Sequence, residues 1–300
     1  MGNTLANTIR WSIASSMING LTGSIQKAWG FTKELDSSLN DIMIVTGKSS
    51  DEMAKFARQA NKAAKELKTS TNQYTQAALI YYQQGLSDDQ VAARSDVTVK
   101  AANITGQSAQ TVSEQLTAIW NGYKVSAQEA ELYIDKVAAV AASTAADLEE
   151  LSVGMSRVAS AANIMGVDID QLNAQLATIV SVTREAPESV GTALKTVYAR
   201  MSDIQAGLDT ETTLSEYTTQ MAQMGVNVLD AQGNLRDMGD VVEEIGNKWN
   251  VLSRNQQVSL AQTIAGTRQY SRMMALFDNW DMYNQALLTS QNSMGTLQEQ

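Results

Sequence analysis

Residues 147–183 read DLEELSVGMSRVASAANIMGVDIDQLNAQLATIVSVT, and this stretch decides the fold class. Asp147 stands three residues before Glu150, and Asp168 three before Gln171. At that spacing each pair can satisfy two orphan backbone N–H groups of a helical first turn reciprocally. Behind the first pair, Leu148, Leu151, Met155, Val158, Ala162 and Met165 follow three or four residues apart. Behind the second, Ile169, Leu172, Leu176 and Ile179 do the same. This alternation keeps apolar side chains on one helix face, as a seam between packed helices requires. Gly166 lies between the runs, where a chain can turn through positive φ without a Cβ clash. A connection of so few residues makes the two helices antiparallel neighbours.

The same pattern continues in both directions. Ser49, Thr71, Ser87, Ser108 and Ser126 are candidate N-caps, and Ser49, Ser87 and Ser126 have Glu52, Gln90 and Glu129 three residues on. Pro187 stands at a first helical position, where its missing N–H costs nothing. Gly85, Gly106, Gly122 and Gly207 fall where helices should stop. The result is a series of helices of roughly 14 to 20 residues each. Val190, Leu194, Val197, Met201, Ile204 and Leu208 form a further stripe, and Met53, Phe56, Ala60, Ala63 and Leu67 an earlier one, with Lys55, Lys62 and Lys65 on the opposite face.

At the N-terminal end, residues 4–46 read as one long helix or two. Leu5, Ile9, Ile13, Met17, Leu21, Ile25 and Trp29 recur every four residues, a stripe that winds around a 3.6-residue helix and suits partner helices. Residues 209–225 read as a short helix. Val226, Val228 and Leu235 then flank a D-A-Q-G-N turn, the signature of a small β-hairpin over 226–237. Helices resume over about 239–252, from a Ser253/Gln256 capping box to Ala265, and from near Arg268 through Met273, Phe277, Trp280 and Leu287. The expectation is an all-α fold, a multi-helix antiparallel bundle or irregular helical stack with that one hairpin. Three parts are expected: a helical leader over 1–46, a helical core over 47–208 and a C-terminal helical part with the hairpin over 209–300. No fixed repeat length emerges, so a named solenoid is not supported.

Composition narrows the chemistry. Apolar residues make up 44% of 300, enough for a core, and a single proline leaves glycine as the main helix breaker. Histidine and cysteine are both absent. That removes disulfides, thiolate nucleophiles, imidazole bases and almost every structural zinc site. The net charge of −10 is uneven: residues 1–100 carry 11 basic and 9 acidic side chains, and residues 101–300 carry 11 and 23. Such a surface repels nucleic acid over most of its length, so no specific nucleic-acid binding is expected. Residues 11–26 lack charge but are short and rich in Ser, Asn, Thr and Gln, so no membrane span is expected in this chain. No signal peptide and no myristoylation site are expected either.

Several short motifs have a local structural reading. Gly47-Lys48-Ser49 mimics the end of a phosphate-binding loop, but Ile42 stands where the first glycine is needed. Glu149/Glu150, Asp168/Asp170 and Glu243/Glu244 are carboxylate pairs in helical first turns, where negative charge favours the helix dipole. Asp230-Ala-Gln-Gly233 lacks the alternating oxygens of a calcium loop. Trp11, Trp29, Trp120, Trp249 and Trp280 lie within apolar stripes and read as core, with Trp249 and Trp280 also candidates for interface anchors. No catalytic, cofactor-binding or metal-ligating residue is therefore singled out, and no cofactor is expected.

Taken in order, these segments resemble the core domain of phage tail tape measure proteins of the TP901 type, from about Phe31 to Phe277. The resemblance is carried by L39-N-D-I-M-I-V-T-G-K-S49, Gly85-Leu86-Ser87, A101-A-N-I-T-G106 leading to Leu116 and Trp120, and A159-S-A-A-N-I-M-G166. It continues through G191-T-A-L-K-T-V-Y-A-R-M201, D230-A-Q-G-N-L-R236, V242-E-E-I245 and A261-Q-T-I-A-G266. It implies a structural, non-enzymatic component of a tailed phage or prophage that sets tail length during assembly and occupies the tube lumen until DNA ejection. The implied partners are the tail tube protein and tail assembly chaperones, with self-association through helices. The implied location is the tail lumen, and the host cytoplasm during assembly. Family members are usually longer, so the chain is expected to be the core domain alone. The alternative reading is a helical membrane-active or pore-forming protein.

Overall fold

The computed structural model describes residues 25–209 and 212–293. The expectations placed on Leu5 to Leu21, on Trp11 and on the side chain of Trp29 lie outside what it describes. Among the described residues there are thirteen α-helices, one 3₁₀ turn and no sheet, as an all-α helical stack requires. The helices are α1 (Ile25–Thr46), α2 (Ser50–Glu66), α3 (Thr71–Gln83), α4 (Asp88–Thr105), α5 (Ala109–Tyr123), α6 (Ala130–Ser143) and α7 (Leu148–Ile164). They continue as α8 (Ile169–Thr183), α9 (Pro187–Ala206), α10 (Leu214–Gln223), α11 (Met238–Lys248), α12 (Arg254–Asp278) and α13 (Trp280–Gln291). The 3₁₀ turn, Trp249–Val251, joins α11 to α12.

The capping pattern accounts for most of the boundaries. Reciprocal boxes open α2 at Ser49, α4 at Ser87, α7 at Asp147, α8 at Asp168 and α12 at Ser253. A further box, Thr213 with Glu216, opens α10. The cap of α3 is Ser70, one residue before the expected Thr71. Ser126 and Glu129 do pair, but they close a turn ahead of α6. Gly122 does not stop α5. It packs instead where an added Cβ would lie 2.8 Å from Ala159 Cβ, and the left-handed residue that ends the helix is Lys124.

The chain divides into two compact units, residues 1–114 and 115–300, with the boundary inside α5. In the first unit, α3 packs on α1, α2 and α4. Its buried Tyr81 shares a hydrogen bond with Thr98, and Asn72 donates to Glu34 at 2.7 Å. In the second unit, α8 lies against α6, α7, α9, α12 and α13. Gln171 to Val180 are ten consecutive buried residues, so α8 is covered on every side. A helix enclosed in this way is the centre of a core and not its rim. The α7–α9 contact is very close: a Cβ on Gly191 would lie 2.2 Å from the Gly154 carbonyl oxygen. Only the absence of a side chain lets these two backbones meet.

The β-hairpin expected over 226–237 does not form. Leu229 and Leu235 make one isolated antiparallel bridge. The Asp230 carboxylate accepts the N–H groups of Gln232 (2.9 Å) and Asn234 (2.8 Å), which closes the turn through a side chain. On one flank, the Val226 N–H donates to Met221 O at the end of α10 (3.0 Å). On the other, the Met238 N–H donates to Met165 O (2.7 Å). Across the turn the Asp230 N–H donates to Asn234 O (2.8 Å) and the Arg236 N–H to Val228 O (2.9 Å), but the next N–H groups outward, those of Val226 and Met238, bond elsewhere, so the ladder does not extend.

Candidate functional site

A polar cluster of the second unit surrounds the start of α8. Lys136 Nζ lies 2.7 and 2.8 Å from the two Asp170 carboxylate oxygens, and Ser290 Oγ donates to the same carboxylate at 2.6 Å. Asn173 donates to Lys136 O (2.9 Å) and Ser290 Oγ (3.3 Å). Gln171 Nε2 and the Tyr283 hydroxyl both donate to Glu243, at 2.9 and 3.2 Å. Tyr123 donates to the Val167 carbonyl, and Tyr198 to Gln175. Burial pushes the phenols of Tyr123, Tyr198 and Tyr283 well up, and for Tyr283 the nearby Glu243 charge adds to it. These tyrosines are therefore neutral donors at physiological pH.

This cluster holds helices together. Each carboxylate in it already has a cation or a donor. Among the described residues no group of three or more acidic side chains converges to hold a metal. The candidate pairs are likewise occupied. Glu150 and Asp147 cap each other's backbone (3.0 and 2.8 Å). Glu244 pairs with Arg236 (2.6 Å) and Lys248 (2.7 Å). Burial pushes the Glu244 carboxyl up, but the hydrogen bonds from Lys248 and Arg236 outweigh it and hold it below the ordinary glutamate range.

The remaining motif residues have structural places. Lys48 pairs with Asp88 at 2.9 Å and lies 5.7 Å from the Tyr82 ring centre, while Ser49 caps α2. Asp230 closes the turn described above. Trp120 is buried, as expected of a core residue. Trp249 and Trp280, candidates for interface anchors, are 1% and 7% exposed. Both rings meet Phe277 at a tilt and Trp280 stacks on Tyr283, all inside the second unit, which corrects the interface reading. No helix among the described residues is long and apolar enough to cross a membrane.

The arrangement that sequence reasoning missed lies between α9 and α12. Helix α12 is broken at Gly266, whose φ of 69° and ψ of 173° fall in a region essentially restricted to glycine. The break turns the chain back so far that Arg254 and Asp278, the first and last residues of α12, form an ion pair at 3.3 Å. Arg200 of α9 occupies the inside of the bend. Its Nη1 donates to the carbonyls of Thr263 (2.7 Å) and Ile264 (3.4 Å), and its Nη2 to Thr212 Oγ1 (2.9 Å). Its Nε lies 3.5 Å from Asp209. In an unbroken helix those two carbonyls would accept from the N–H groups of residues 267 and 268. The guanidinium replaces those donors. The partners of Arg200 on α12 lie more than 60 positions along the chain, so no local spacing marked it.

A family model described as phage-related minor tail protein matches residues 57–266, well over half of the chain. No solved structure matches.

Proposed function

The chain belongs to the family of phage-related minor tail proteins, which makes it a structural component of the virion tail that works among other tail proteins, and from that premise we propose that it is the folded core of a tape measure protein. In this reading it helps set tail length during assembly and occupies the tube lumen until DNA leaves. Its partners are the tail tube protein and the tail assembly chaperones, it is non-catalytic, and it passes through the host cytoplasm while tails are built. The observation that supports the reading most is the order of capped segments from L39-N-D-I to A261-Q-T-I-A-G266, which resembles that of the TP901-type core. Two structural features agree with it. The polar cluster around α8 is consumed by internal ion pairs and caps. The short helices fold back on one another, so a ruler at about 1.5 Å per residue belongs to extended helix outside this core.

Two measurements on virions test the proposal. Cross-linking of purified tails should join this chain to the tail tube subunit. An in-frame deletion of residues 115–300 should block tail assembly or change tail length in electron micrographs. Normal tails of unchanged length from the deletion, or cross-links confined to the tail exterior, would overturn the proposal.

A further inference from the structure

We propose that the Gly266 bend is a domain-swapping hinge, and that the partner it serves is a second copy of this chain. The bend divides α12 into a near half, residues 254–265, and a far half that continues into α13. Residues 267–293 thus form an arm joined to the rest of the second unit through a single glycine. What holds the arm in place is a set of contacts to residues before the hinge. Asp278 accepts from Trp249 Nε1 (2.7 Å) and pairs with Arg254 (3.3 Å). Arg272 pairs with Glu185 at 2.5 Å, and Ser290 with Asp170 at 2.6 Å. Every one of these can form equally well between two chains, if each arm crosses to the other copy. The swapped and unswapped forms then differ only at the hinge and in the entropy of association, which makes swapping an economical route to a dimer.

The hinge itself favours opening. In the bent chain Gly266 occupies a region that other residues avoid. In the opened chain it can be helical, and the carbonyls of Thr263 and Ile264 regain their backbone donors. No proline interrupts the segment, since the one proline of the chain is Pro187. The opposing element is Arg200. By bonding those carbonyls it satisfies the bent form, and Thr212 and Asp209 hold its other side. Arg200 is therefore the latch that keeps the arm at home. Space does not decide the matter, because a Cβ on Gly266 would meet nothing nearer than Arg200 Nε at 3.5 Å. The inference holds whichever tail component the chain is.

The test uses the full chain, its Gly266→Ala variant and its Arg200→Gln variant. Light scattering after gel filtration reads the dimer fraction over a concentration series. Each substitution is expected to raise the dimer-to-monomer ratio at fixed concentration by about tenfold or more, since alanine disfavours the bent conformation and glutamine loses the clasp. The absence of native cysteine allows a unique spin-label pair at Asn255→Cys and Ser271→Cys, both exposed positions. With labelled chains diluted into unlabelled ones, the dimer should show an intrachain distance of about 24 Å, set by 1.5 Å per residue along a continuous helix. The monomer should show a shorter one. Variants that stay monomeric at every concentration overturn the proposal. So do dimers that keep the monomer's intrachain distance, and so does loss of helical circular dichroism in both variants.

Discussion

At the scale of single residues, two positions make measurable claims. Gly191 lies where α7 and α9 meet, and a methyl group there would lie 2.2 Å from a backbone oxygen, an atom that cannot rotate away. Gly191→Ala should therefore force the helices apart and destabilise the second unit by about 1–3 kcal/mol, the usual cost of overpacking. A lowered urea midpoint with an unchanged slope is the expected reading, and an unchanged midpoint would show that the helices separate freely. Glu244 concerns charge. Its carboxyl is held below the ordinary range between Lys248 and Arg236. A depressed folded pKa stabilises the fold above the unfolded value and loses that contribution as pH falls through the folded one. Glu244→Gln should cost about 1 kcal/mol at neutral pH. The deficit should close as pH falls through the lowered folded value, where the parent carboxylate is protonated too. Paired urea titrations at neutral and acid pH check this sign, and a deficit independent of pH would place the effect in packing.

At the scale of elements, caps carry the most information. Asp147 accepts the Glu150 N–H at 2.8 Å and Glu150 returns the bond, so α7 begins where its first apolar residue can face α8 and α9. Asp147→Ala should destabilise by about 1 kcal/mol. Amide exchange should speed up most in the first turn of α7, and uniform acceleration along the helix would contradict a local role. The capping boxes were legible beforehand because both partners lie within one turn, and so were the stripes on α7, α8 and α9. What stayed illegible depends on partners far along the chain. The hairpin reading failed because residues 221 and 165 take the backbone bonds that a second strand would need. Trp249 and Trp280 were ambiguous because a tryptophan in a stripe looks the same whether a neighbouring helix or another protein covers it. The break at Gly266 was visible as a boundary between two helices, but the guanidinium that fills it was not.

At the scale of the whole molecule, the burial of α8 sets what can fold. Leu172, Leu176 and Ile179 are completely enclosed, and full burial of each such side chain contributes about 1.5–3 kcal/mol. Helices α12 and α13 supply part of that cover, more than 70 residues further along the chain. The second unit should therefore need its C-terminal helices, although α7, α8 and α9 carry the clearest helical signals. A fragment of residues 107–300, which retains all of α5, should unfold in one cooperative thermal transition. It should also keep the near-ultraviolet signals of buried Trp120, Trp249 and Trp280. A fragment of residues 107–208 would leave one side of α8 bare. It should melt without cooperativity and bind a hydrophobic dye, the behaviour of a chain that keeps its helices but loses fixed packing. If the shorter fragment instead melts sharply, α8 has enough cover from α6, α7 and α9, and residues 209–300 are an accessory to the core. The same pair of fragments separates local helix formation from tertiary packing, because circular dichroism should stay strongly helical in both while only the longer one resists urea.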